Sequence, residues 1–327
     1  MKLRVLTQAD VKRCWSMRDA IDWQREAFGL YSGGQVERGL HHWIHTDRPH
    51  GVIGFLPGVI KGGGGFGIKM LSAFTDEATK RYVTLGIVLV SDGETGEPRA
   101  LFEGGSITDL RTGAATGLAI DLLAKRNARV GAMFGAGHVA MNQVEAMCEI
   151  REIETVWVFS RTRSRTIEYI ETMRAMGARM PRDWRVASSP REAIVHADIV
   201  VTATTSSTPL FDGRDLRPGT CVIAAGGCVP ESGEVDVETV RRSAKVVVDM
   251  RETCVCGELA GPIAQRAIAP DDVAELGELV LGTRPGREHD DEITFCKTIG
   301  VPIQDLITAQ RLLPRAEALG LGQLVDL

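Results

Sequence analysis

The strongest constraint in this sequence lies in residues 130–150. There a short apolar run, VGAMF, leads into Gly135-Ala136-Gly137-His138-Val139-Ala140 and then into a helical pattern with Ala140, Val144, Met147 and Cys148 on one face. So tight a turn needs Gly135, Gly137 lets the backbone approach a bound group, and Ala140 allows close packing of helix on strand. A helix starting at His138 turns unpaired N–H groups outward, which suits a pyrophosphate. The G-x-G-x-x-A pattern alone is weak; its setting gives it weight. Apolar runs at 130–134, 155–159, 198–204, 221–225 and 246–249 alternate with helical segments. This predicts βαβ units in a doubly wound parallel sheet of Rossmann type, an α/β domain with a dinucleotide as ligand.

The second strand of that series, TVWVF, ends in Ser160-Arg161-Thr162-Arg163, without the Asp or Glu that commonly holds the ribose 2′-OH of NAD. Guanidinium and hydroxyl groups suit a 2′-phosphate, so NADP(H) is the expected cofactor, with NAD possible. Thr204 and Thr205 follow DIVVTA and are expected at the nicotinamide end, on the sheet's carboxyl edge. Cys228 follows TCVIAA at the same edge, where its thiol could line a substrate pocket.

Residues before 112 read differently. YVTLGIVLV, the turn-rich SDGETGEP and RALFEG predict two antiparallel strands, and 52–56 and 68–71 add shorter ones around the glycines at 62–65. A helix is predicted from 112 to 125, and another over 303–319 that Pro314 should kink or split. The expected organisation is a first, α+β domain over 1–112, a Rossmann domain over 113–295, and a segment 296–327 that packs back on the first.

Composition narrows the function. A chain of 327 residues suits two domains, and 44% hydrophobic with 25% charged residues is ordinary for globular proteins. A net charge of −5 without a Lys/Arg block argues against nucleic acid as partner. No run of 18 apolar residues suggests a membrane span, and residues 1–10 lack the layout of a secretory signal. Seven cysteines, an odd number, read as reduced thiols, and a cytoplasmic location is expected. His41, His42, His45 and His50 cluster without a metal-ligand arrangement, and Cys254-Val255-Cys256 lacks a second pair, so no metal is expected.

Four segments together resemble the ornithine cyclodeaminase/mu-crystallin family: Gly67-Ile68-Lys69, Asp109-Leu110-Arg111-Thr112-Gly113-Ala114-Ala115, Gly135-Ala136-Gly137, and Asp291-Glu292-Ile293-Thr294-Phe295-Cys296-Lys297. The resemblance implies a homodimer, with a substrate and dimerisation domain joined to the dinucleotide domain and the active site in the cleft between them. It implies that Lys69 is the active-site lysine and that Arg111 and Arg38 hold a substrate carboxylate. Thr112, His138 and Val139 join Gly135, Gly137, Ser160, Arg161, Thr162, Thr204 and Thr205 as expected cofactor contacts. Two departures direct the reading. Cyclodeaminases similar to GVIELMP carry a glutamate where this chain has Gly54, and an aspartate where it has Cys228. Without those carboxylates, deamination with cyclisation loses its bases. The expectation is therefore NAD(P)H-dependent reduction of a small cyclic or open α-imino carboxylate, such as Δ1-pyrroline-2-carboxylate, or the reverse amino-acid dehydrogenation. A cyclodeaminase-type lyase and a non-catalytic NADP-binding protein similar to mu-crystallin are the alternatives.

Overall fold

The computed structural model describes residues 1–37, 42–47, 51–76, 82–177, 179–227, 233–255 and 257–327. They separate into two compact units, one of residues 1–111 with 301–327 and one of residues 112–300.

The first unit is built on a mostly antiparallel sheet. Its strands are β1 (Lys2–Leu6), β2 (Val36–Glu37), β3 (His42–His45), β4 (Val52–Ile60), β5 (Phe66–Thr75), β6 (Tyr82–Ser91) and β7 (Pro98–Glu103), with a C-terminal strand Gln323–Asp326. Spatial order runs from the C-terminal strand through β1, β7, β6, β5 and β4 to β2, and β3 also pairs with β4. β1 joins β7 in parallel and the other pairings are antiparallel.

Pairing register sorts the side chains onto two faces. Leu56, Lys69 and Val88 lie in register on one face and are buried. That face takes the helix Pro302–Ala318: a Cβ at Gly67 would lie 3.1 Å from the Leu306 side chain, and one at Gly58 would lie 3.6 Å from Leu306 and Pro302. Phe66, Met70, Leu85 and Ile87 lie on the opposite face and are exposed. The helix Met17–Ser32 starts with a Ser16/Asp19 capping box and buries Ala20, Ile21, Gln24, Ala27 and Phe28. Gln24 locks it to the C-terminal helix, donating from Nε2 to Thr308 Oγ1 at 3.0 Å and accepting from Gln304 Nε2 at 2.9 Å. Helix Pro302–Ala318 continues through Pro314 without splitting. Pro314 is exposed, so the carbonyl it frees can be hydrated, while Leu312 and Ala316 hold the core side.

The helix Gly104–Leu123 contains the division between the units. It begins eight residues before the expected start because Glu103 caps it, accepting from the N–H groups of Gly105 and Ser106. Arg111 is therefore inside the helix, not at its opening.

The second unit holds a parallel sheet of β8 (Val130–Phe134), β9 (Thr155–Phe159), β10 (Asp183–Val186), β11 (Ile199–Thr202), β12 (Cys221–Ala224), β13 (Ser243–Val248), β14 (Ala274–Glu275) and β15 (Ile293–Lys297). The order is β10-β9-β8-β11-β12-β15-β13-β14. This is the expected α/β doubly wound sheet, and its strand order reverses direction between β8 and β11, where such sheets bind ligands. β15 lies between β12 and β13, so residues 296 and 297, expected with the first domain, are sheet residues of the second unit. β10, β14 and β15 were not among the expected strands. No helix of the described residues is long and apolar enough to cross a membrane.

Candidate functional site

In the first unit, three elements bring charged groups together. β5 supplies Lys69, the helix Gly104–Leu123 supplies Thr108 and Arg111 one turn apart, and the first turn of the helix Pro302–Ala318 supplies Asp305. Lys69 Nζ donates to Thr108 Oγ1 at 2.6 Å and to Asp305 Oδ1 at 3.2 Å. Thr108 gives its own proton to the Gly104 carbonyl at 2.8 Å, which leaves an oxygen lone pair for the ammonium. Arg111 Nε is 3.5 Å from the same Asp305 oxygen, close enough for charge attraction but without hydrogen-bond geometry.

Lys69, Arg111 and Asp305 are 3%, 8% and 2% exposed, and with Lys69 protonated these three buried groups sum to one positive charge, which the half-buried Asp109 offsets from further away. Burying an excess charge is costly unless an anion shares the site. Arg111 carries five N–H donors, and its single described ion pair leaves most of them for another acceptor, as a carboxylate clamp requires. Burial pushes the Lys69 ammonium below the ordinary lysine value; Asp305 opposes that shift, Arg111 adds to it, and Asp109 opposes it more weakly.

Nothing in the local sequence pointed to Asp305 or Thr108. Asp305 lies 236 positions from Lys69; the one available signal was an acidic residue in the first turn of a predicted helix. Arg38, His41 and His50 lie outside the described residues. A Cβ on Gly54 would fall 2.5 Å from the Trp43 indole, so a side chain there would have to displace that ring.

In the second unit, the expected cofactor residues collect at the carboxyl ends of β8, β9 and β11. Gly135 has φ +112°, and a Cβ on it would fall 2.6 Å from the Ala203 carbonyl oxygen. No other residue fits there. At Gly137 a Cβ would meet nothing within 4 Å, so the backbone faces open space. Gly137 is the N-cap of the helix His138–Ile150 and no side chain caps it. An open glycine backbone before an uncapped helix start fits a pyrophosphate, with N–H groups of the turn containing His138 and Val139 as donors. Gly113 brings the helix bearing Thr112 against Asn142 of this helix, since a Cβ at Gly113 would lie 2.6 Å from Asn142. Beyond β9, Ser160 Oγ donates to the Thr162 carbonyl, and Arg161, Thr162 and Arg163 are exposed.

A buried network that the sequence did not suggest ties the loops after β11 and β12. Glu234 accepts from Thr204 N at 2.6 Å, Gly226 N at 2.9 Å and Thr202 Oγ1 at 2.8 Å. Lys297 donates to the carbonyls of Gly226 and Gly227 at 3.2 and 3.3 Å and pairs with Glu258 at 3.1 Å. Glu258 in turn accepts from Glu234 N at 3.0 Å. Burial pushes the Glu234 carboxyl up, and its contact with Thr204 opposes that. Thr204 is thus held by its backbone, and Thr205 is exposed beside it. Cys228, next in the chain after this loop, lies outside the described residues.

Residues 1–319 match the Ornithine cyclodeaminase/mu-crystallin family. The chain belongs to that family. Within it, a Delta(1)-pyrroline-2-carboxylate reductase of Bacillus cereus is 34% identical over 98% of this chain and 99% of its own length. The structure of Thermococcus litoralis Delta(1)-pyrroline-2-carboxylate reductase, in complex with NADH and L-proline, is 32% identical with a TM-score of 0.91, covering 98% of this chain and 100% of that one. An archaeal alanine dehydrogenase dimer with bound NAD is 28% identical with a TM-score of 0.90, covering 100% and 99%.

Proposed function

We propose that this chain is an NAD(P)H-dependent reductase of small cyclic or open α-imino carboxylates, with Δ1-pyrroline-2-carboxylate as the leading substrate, and that it catalyses the reverse amino-acid dehydrogenation when the cofactor is oxidised. The observation that carries this reading is the buried Lys69–Asp305–Arg111 cluster with its surplus positive charge. Relatives that reduce Delta(1)-pyrroline-2-carboxylate and hold NADH with L-proline support it.

A reduced nicotinamide, when bound, supplies a hydride to the imine carbon. The chain's own groups do the rest. Arg111 grips the substrate carboxylate through paired N–H donors. As the C=N π pair moves onto nitrogen, Lys69 Nζ delivers a proton to that nitrogen and is left as a neutral amine. Burial makes the neutral amine affordable, and Asp305 and Thr108 hold Nζ in place between turnovers. In the second unit, Glu234 and Lys297 fix the loops after β11 and β12, so Thr204 keeps its place at the carboxyl edge. Gly54, covered by Trp43, offers no carboxylate for an amine leaving group, which disfavours the lyase alternative.

The test is oxidation of NADPH or NADH on adding Δ1-pyrroline-2-carboxylate, other cyclic imino acids, and keto acids with ammonia or amines. Turnover on an imino carboxylate is expected; none across the panel overturns the proposal.

The pH profile follows from the Lys69 environment. As general acid for reduction, Lys69 must be protonated, so kcat/KM should fall as pH rises through a pKa below the usual ~10.4. Asp305→Asn removes a charge that holds the proton on. The alkaline limb should then move to lower pH. A limb at the same pH in both proteins would assign it to another group.

For the cofactor, we propose NADP(H) preference, supported by exposed Arg161 and Arg163 and the absence of an acid at the end of β9. Arg161→Asp should weaken NADPH binding about 10- to 100-fold relative to NADH, the scale of a charge-assisted hydrogen bond. Equal losses, measured by fluorescence titration, would leave the preference unexplained.

We also propose a homodimer formed through the exposed face of β3–β6, where Ile44, Val59, Phe66, Met70, Leu85 and Ile87 make a broad apolar surface. The double variant Leu85→Glu/Ile87→Glu should sediment as a monomer, because each carboxylate would have to be desolvated. A monomeric wild type would refute this assignment. The described cysteines Cys14, Cys148, Cys221, Cys254 and Cys296 are unpaired, which supports a reducing compartment such as the cytoplasm.

A further inference from the structure

A reduction that draws its proton from Lys69 leaves a neutral amine, which must be recharged before the next turnover. Lys69 is 3% exposed, so solvent has little direct access to Nζ and the proton has to come through a neighbour. Nζ makes two hydrogen bonds among the described residues. The bond to Asp305 Oδ1, at 3.2 Å, is buried, whereas the bond to Thr108 Oγ1, at 2.6 Å, is only part-buried, because Thr108 itself is half-buried. Asp305 is poorly suited to pass a proton, since Arg111 Nε stands 3.5 Å from the same oxygen and favours the carboxylate.

Thr108 has the right chemistry and the right support. A threonine inside a helix bonds the carbonyl four residues back, and Thr108 Oγ1 donates to the Gly104 carbonyl at 2.8 Å. That bond holds the rotamer in which an Oγ1 lone pair meets Lys69 Nζ. The Gly104 carbonyl is also the ordinary helical acceptor of the Thr108 N–H, so the hydroxyl proton can swing away without stranding it. A hydroxyl donates as well as accepts, and its proton turns to suit its partners. Asp109, next in the chain and likewise half-buried, adds negative charge that favours the protonated lysine.

We infer that Thr108 is the proton relay of this site, its hydroxyl passing a proton from solvent to Lys69 Nζ after each reduction. This rests on the reading of Lys69 as the general acid. In the step, the Thr108 O–H bond breaks as an N–H bond forms on the neutral amine, while Oγ1 takes a proton from a hydronium ion or a buffer acid on its half-open side. The two transfers are concerted, because a free threonine alkoxide is too basic to form, and the new hydroxyl proton returns to the Gly104 carbonyl. One proton has moved from solvent to Nζ, the ammonium is restored, and nothing is oxidised or reduced.

The experiment follows hydrogen exchange of the Lys69 ammonium by NMR on the full chain isotopically labelled in lysine. It is paired with first-turnover and steady-state rates of NAD(P)H oxidation by an imino carboxylate. The proteins are the wild type, Thr108→Ser and Thr108→Val, each with its melting temperature; valine keeps the shape of threonine and removes the hydroxyl. In Thr108→Val, exchange and steady-state turnover should each slow about 10-fold or more. The first turnover, which spends the proton already on Lys69, should stay within about threefold, and added imidazolium should restore part of the steady-state rate. Thr108→Ser should match the wild type in all of these. Unchanged exchange or unchanged steady-state turnover in Thr108→Val overturns the inference, and so does a first turnover that falls as far as the steady state, which would make Thr108 a support for Lys69 and no relay. Exchange that depends on Thr108 in a chain that oxidises no NAD(P)H on any imine sinks the reductase reading alone.

Discussion

Lys69→Met should lower kcat/KM for imine reduction by about 10²- to 10⁴-fold, the usual contribution of a positioned general acid. Its effect on folding should be small. Methionine fills the volume of the lysine stem, and Asp305 keeps Arg111 as a partner, so no carboxylate is left buried alone. Replacing one member of a buried ionic group with an apolar side chain is harmful mainly when it strands the other, and the variant takes the cluster from one surplus positive charge to none. The melting temperature should therefore stay within a few degrees of the wild type or rise. Cofactor affinity should be retained, since the residues expected to bind the dinucleotide belong to the second unit. Loss of activity together with collapse of the melting temperature would instead make Lys69 a structural residue.

Arg111→Leu is the second large effect, and it should appear in a different kinetic constant. Removing one partner of a desolvated, hydrogen-bonded charge pair costs about 2–5 kcal/mol, or roughly 30- to 5,000-fold. Here that loss should fall on KM for the imino acid and on affinity for any competing carboxylate, with kcat for bound substrate changed less. Arg111→Lys should recover little, because an ammonium lacks the planar fork that pairs with both carboxylate oxygens. An unchanged KM would assign the carboxylate to another cation. A contrast between the two variants, one expected in kcat and the other in KM, would separate proton delivery from anion binding in a cluster whose members share a single oxygen of Asp305.

Legibility of the sequence followed the range of the interactions. Parallel strands buried on both faces read as continuous apolar runs, so β8, β9, β11, β12 and β13 were visible, together with the glycine turn after β8. β1 and the C-terminal strand were not, because each is short and finds its partner across most of the chain. The helix at Gly104 was read as starting late because two glycines disguise its first turn, a cost offset by the Glu103 cap. Lys69 and Arg111 were legible only through motif resemblance, since a lysine in a strand has no local mark of burial. Glu234 and Glu258 carry no sequence pattern, and Asp305 only that of an acidic residue in the first turn of a helix. Their roles come from elements that fold together over long separations, and each reads locally as an ordinary carboxylate near a helix or loop.

The proposed reaction turns on hydride delivery to an imino carbon held by Lys69 and Arg111. Incubation with nicotinamide cofactor deuterated at the transferring C4 position and Δ1-pyrroline-2-carboxylate, followed by mass spectrometry of the product, tests it directly. The expected product is proline with one deuterium at the α-carbon for each cofactor oxidised, and no proline from ornithine. Proline and ammonia released from ornithine without net cofactor oxidation would make the enzyme a cyclodeaminase instead.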